Sequence, residues 1–162
     1  MAAEKTETEK VGQLRPLATV EPEGVRALGD GEWEEIELAV DSAATETVVG
    51  EKMLMSISLT EGPAFQRGVE YEVANGVRIP NLGQRKFCAV SDEGVERGIT
   101  AQVCDVNRAL LSVKKITKAG NRVIFDDEGS YIEDKATGEI MSLREDNGMY
   151  VLKVWVRREA DF

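Results

Sequence analysis

A chain of 162 residues with 42% apolar side chains can bury a sizeable core as one ordinary domain. Its net charge of −10, with no basic cluster, repels phosphate backbones, so no nucleic acid is expected as a partner. It has no histidine and 2 cysteines, which removes the usual base of serine and cysteine hydrolases and is too few thiols for a zinc site.

Carboxylates are therefore the groups left for any proton chemistry, and no metal or cofactor is expected. Residues 1–12, rich in Glu, Lys and Thr, read as a disordered tail. No signal-peptide core follows Met1, and no apolar run is long enough to span a bilayer. The expected setting is intracellular, in the cytoplasm, with no membrane partner. Leu14–Val20 fits a short strand, and Pro22, Gly24, Gly29 and Gly31 mark turns.

Trp33–Val40 alternates, with Ile36, Leu38 and Val40 on one face, and predicts a strand. Thr45–Val49 is β-branched and predicts another. Lys52–Leu59 fits helical and strand spacing equally. Val69–Val73 and Val77–Ile79 flank Ala74-Asn75-Gly76, the strongest short-range hairpin signal in the chain. Lys86–Val90 and Gly98–Val106 are strands around the turn Asp92-Glu93-Gly94. Cys88 and Cys104, within these strands, read as core thiols, with a disulfide between them as the alternative. Leu110–Gly120 carries Leu, Val and Ile at helical spacing, with Ser112 as its cap and Gly120 as its stop. Strands follow at Arg122–Phe125, Tyr131–Asp134, Glu139–Leu143 and Met149–Val156. Trp33, Tyr71, Phe87, Phe125, Tyr150 and Trp155 lack the basic neighbours of an RNA-stacking sheet and read as core. The chain reads as all-β with one short helix.

Asp41 stands where the first strand ends. An Asp-Ser pair there is also an ordinary turn or cap. Its surroundings are more particular. Val40-Asp41-Ser42-Ala43-Ala44 is followed by Thr45, Glu46, Thr47 and Val48. The Asn75-Gly76 hairpin comes next, then Leu110-Leu111-Ser112, a short helix to Gly120, and Asn121–Phe125. This order resembles the retropepsins, dimeric aspartic proteases of retroviruses and retrotransposons. Their motif is two apolar residues, Asp, Ser or Thr, Gly and Ala. Ala43 departs from it, standing where the family has glycine.

Residues 101–154 also resemble copia-type retrotransposon polyproteins: Leu110-Leu111-Ser112-Val113, Gly120, Val123-Ile124-Phe125, Ile132–Gly138 and Gly148–Leu152 match the protease end and the gag-pre-integrase segment after it. The resemblance implies a retropepsin-like closed or orthogonal β-barrel with one short helix and a C-terminal β-hairpin extension. The protease domain would cover 13–125 and the extension 126–162. It implies an aspartic endopeptidase processing a retrotransposon polyprotein. One Asp-Ser-x-Ala motif per chain implies a homodimer, with Asp41 catalytic and its copy supplying the second carboxylate. Ser42, Ala43, Ala44 and Thr47 would support the active-site loop. Thr45, Glu46, Asn75, Gly76 and Leu110 would meet the polypeptide substrate. The alternative is an impaired retropepsin-like module for dimerisation or peptide binding, on account of Ala43.

Overall fold

The structure, a computed structural model, describes residues 32–159. The tail expected at 1–12 and the strand at Leu14–Val20 lie outside the described residues. The chain forms β1 (Trp33–Asp41), β2 (Val48–Gly50), α1 (Pro63–Gln66), β3 (Glu70–Glu72), β4 (Arg78–Pro80), β5 (Gly83–Ser91) and β6 (Glu96–Cys104). It continues as β7 (Ala109–Ser112), α2 (Val113–Lys118), β8 (Asn121–Ile124), β9 (Ser130–Asp134), β10 (Ile140–Asp146) and β11 (Met149–Arg157).

Six of these strands close a barrel in the order β1-β7-β2-β6-β5-β11, because β11 pairs back onto β1. Closure leaves none of the six as a free edge. The β1–β7 and β2–β6 pairs are parallel, and the others are antiparallel. β10 bridges outward. Its Arg144–Asp146 end pairs with β11 and its Ile140–Leu143 end with β9, which carries β8 at the rim. β3 and β4 form a separate hairpin.

The alternation read in β1 holds: Ile36 and Leu38 face the core while Glu35 and Glu37 are exposed. They join Val49, Val103, Ile132, Leu152, Val154 and Val156 in one buried cluster. Each such side chain contributes about 1.5–3 kcal/mol by leaving water.

The ambiguous stretch at 52–59 is neither helix nor strand. It folds as turns, and Leu54 takes a left-handed backbone (φ 55°) to place its side chain fully inside. Buried Arg85 ties this stretch to the barrel by donating to the carbonyls of Ile57 and Glu51. Three sequence expectations are corrected here. Leu110–Ser112 is strand rather than helix, and α2 begins only at Val113. Cys88 is exposed, and only Cys104 is a buried thiol; both are free. Of the aromatic residues expected in the core, Phe87 alone is buried, among the described residues. Phe125 is exposed and stacks on Tyr150, with ring centroids 4.7 Å apart.

Candidate active site

Asp41 is the last residue of β1. The parallel pairing of β1 with β7 sets it beside Ser112, the last residue of β7. Chain direction explains the meeting. Two parallel strands end on the same side, so the loop after β1 and the helix after β7 emerge together.

Ser112 is fully buried and joins them. Its hydroxyl donates to the Ala44 carbonyl at 2.8 Å and accepts from the Lys115 amide at 3.2 Å, capping α2. Its own amide donates to Thr47 Oγ1 at 3.1 Å. Thr47 is buried, so this bond is shielded from water. The loop 41–47 is thus held at Ala44 and Thr47 by one serine.

Asp41 shapes the start of the loop. Its Oδ1 accepts from the Ala43 amide at 2.8 Å. Ser42 and Ala43 are exposed, as is Thr45, while Asp41, Ala44 and Glu46 are half-buried. Among the described residues the only non-glycine positions with positive φ are Leu54 and Asn147. Ala43 therefore sits in ordinary backbone space, without strain, with its methyl group at the surface.

Glu46 makes an ion pair with Lys115 of α2 at 3.4 Å. Both flank a cleft of about 370 Å³ whose floor includes Leu111, Ile132, Leu152 and Val154. Arg97, which also lines the cleft, binds Asp134 and Glu139, each at 3.0 Å. The Asp134 carboxyl is held below the usual carboxylate range, first by the Ala136 amide and then by the Thr137 amide and Arg97. It is thus engaged in a turn.

The expected hairpin tip is well formed. Val73 and Val77 close it, Gly76 donates back to the Val73 carbonyl at 2.8 Å, and Asn75 Oδ1 accepts from the Val77 amide at 3.0 Å. Gly76 has φ 84°, the left-handed position that completes a three-residue loop and favours glycine. Among the described residues no hydrogen bond joins Asn75 or Gly76 to the 41–47 loop. The hairpin meets the barrel at its base instead. Asn81 Nδ2 donates to Tyr71 Oη at 2.9 Å and to Gln102 Oε1 at 2.8 Å. Burial pushes the Tyr71 phenol above its ordinary value, and the charge of Glu46 adds to the shift. Leu110, expected to meet substrate, is half-buried in β7 and pairs with Ala39 and Val48.

The sequence reading missed this amide network. Gln84 and Gln102 are directly paired across β5 and β6 and both are buried. The available signal was a pair of polar residues inside otherwise apolar strands. No protein family, curated protein or solved structure matches this chain.

Proposed function

We propose that the protein is an aspartic endopeptidase that works as a homodimer, with Asp41 as the catalytic residue of each copy. The observation that carries this reading is the setting of Asp41: a half-buried carboxylate at a strand end, on a loop fixed by Ser112 and Thr47. A rigid strand end and a pinned loop are what a reacting carboxylate needs from its scaffold.

One carboxylate is half of the required machinery. In a C₂ dimer two copies of Asp41 would face each other on the axis. Carboxylates about 3 Å apart cannot both ionise, so the pair shares one proton. The ionised one takes a proton from water as its oxygen attacks the peptide carbonyl. The protonated one donates to the carbonyl oxygen. Collapse of the intermediate passes the proton taken from water to the leaving nitrogen and one hydroxyl proton back to the other carboxylate, which releases a carboxylic acid and an amine and restores the pair with one proton. Ser42 would bond across the axis, and Thr45 and Glu46 would line the peptide path. The natural substrate in this reading is the polyprotein of a copia-type retrotransposon.

A second reading, a peptide-binding or dimerisation module without catalysis, draws on Ala43. Its exposed methyl stands beside Asp41, where a partner loop and a substrate would have to approach. A peptide-library cleavage assay from mildly acid to neutral pH separates the two. The peptidase reading expects cleavage that Asp41→Asn abolishes. Peptide binding without cleavage by either form would favour the second reading.

A further inference from the structure

The exposed turn Asp126-Asp127-Glu128-Gly129 is where a C-terminal extension would begin if the domain ended with β8. Yet the strand farthest beyond that turn is part of the barrel wall. β11 fills the slot between β1 and β5. It pairs with β1 from Trp33↔Arg157 to Ala39↔Val151 and with β5 from Val154↔Ser91 to Val156↔Ala89. Leu152, Val154 and Val156 from β11, with Ile132 from β9 and Met141 from β10, belong to the same buried cluster as Leu38 and Val103. Without β11 the strand that carries Asp41 would keep only its pairing to β7, which covers Leu38–Asp41. Surface pairs follow the same path: Arg144 donates to both oxygens of Glu37, and Arg157 meets Glu32.

We infer that Ser130–Arg157 is the closing element of the barrel, and that the Asp41 site exists only while this segment is joined or bound to the rest. Hydrolysis of the Asp126–Gly129 turn, one water adding across one peptide bond to leave a carboxylate and an amine, arms the site for loss instead of trimming it. The cut alone breaks no strand pairing, since β8 still holds β9. Departure of the cut segment opens the barrel on both sides of the gap, at β1 and at β5. Any processing that removes C-terminal chain and leaves a working domain must therefore cut beyond Arg157. This inference rests on the fold and stands whether or not Asp41 cleaves peptides.

Native-state hydrogen exchange on the unmodified chain tests it first. The protected amides of β11, β1 and β5 should open together, with one shared dependence on urea. Opening of β11 while β1 and β5 stay protected would overturn the inference. A second test cuts the chain. A recognition sequence for a site-specific protease is inserted between Asp127 and Glu128. After cutting, the fragments should co-elute and unfold at a urea midpoint that rises with protein concentration. The 1–127 fragment, separated in urea and returned to buffer, should show no dispersed amide spectrum until the second fragment is added back. A 1–127 fragment that folds alone, with a cooperative transition, would equally overturn it.

Discussion

Ser112 connects three parts of the candidate site through one buried hydroxyl and one amide. Ser112→Ala removes the α2 cap, worth about 1 kcal/mol. It also leaves the Ala44 carbonyl without its donor, worth about 1–3 kcal/mol where the group is shielded. A loss of about 2–4 kcal/mol in urea unfolding is expected. A change near zero would mean that the loop is held by other contacts. Ala43 is a different case, because its backbone is unstrained. Ala43→Gly should cost about 0.5–1 kcal/mol through greater freedom of the unfolded chain. If the methyl hinders catalysis, the same change should raise kcat/KM. Equal activity in both forms would show the methyl to be tolerated.

Thiols and carboxyls give two further residue-scale expectations. Burial pushes the Cys104 thiol up to about 11, so in the native chain it should stay unreactive toward a disulfide reagent near neutral pH. Exposed Cys88 should react alone, and both should react in urea; rapid native labelling of both would show β6 to be open. Asp134 and Glu37 both have lowered pKa values, Asp134 chiefly from the Ala136 amide and Glu37 chiefly from its hydrogen bond to Arg144. A depressed folded-state pKa means stability that is present above the unfolded value and is lost as pH falls through the folded one. The urea midpoint should therefore drop as pH is taken below about 4, the unfolded carboxylate range. Asp134→Asn should flatten that drop, and an unchanged slope would contradict the assignment.

At the scale of elements, the hairpin β3–β4 hangs on its base. Tyr71→Phe removes the bond between hairpin and barrel amide network and leaves Asn81 bonded to Gln102. Faster hydrogen exchange confined to residues 69–80 is expected, with the barrel amides unchanged; global loss would mean that the network supports the whole fold.

How far the elements could be read from the chain varies with their physics. β1 was legible because one face is wet, which imposes alternation. The tips at Asn75-Gly76 and Asn147-Gly148 were legible because left-handed backbone favours glycine and asparagine: Gly76, Asn147 and Gly148 take φ 84°, 53° and 81°. β7 was not legible. A strand buried between β1 and β2 reads as a plain apolar run, and Leu110-Leu111 also suits the helix that follows it. α1 is only four residues long and has no buried side chain, so no periodicity could mark it. The Asp41 loop was visible as a motif, but its fastening was not. Ser112 was read as a cap for α2, while its bond to Ala44 spans 68 positions of sequence and has no local signature.

At the scale of the whole molecule, closure of the barrel by β11 could not be foreseen, since pairing between Trp33 and Arg157 joins the two ends of the described chain. Among the described residues no helix is long and apolar enough to cross a membrane. The peptidase reading also sets an assembly requirement, because each chain supplies one Asp41. The most direct test is peptidase activity per chain measured across a dilution series, for the natural chain, for Asp41→Asn, and for mixtures of the two. For a homodimeric peptidase, activity per chain should rise with concentration to a plateau, be absent in Asp41→Asn, and fall in mixtures faster than the fraction of natural chain. Cleavage by Asp41→Asn, or an assembled dimer of the natural chain that cuts no peptide, would contradict that reading.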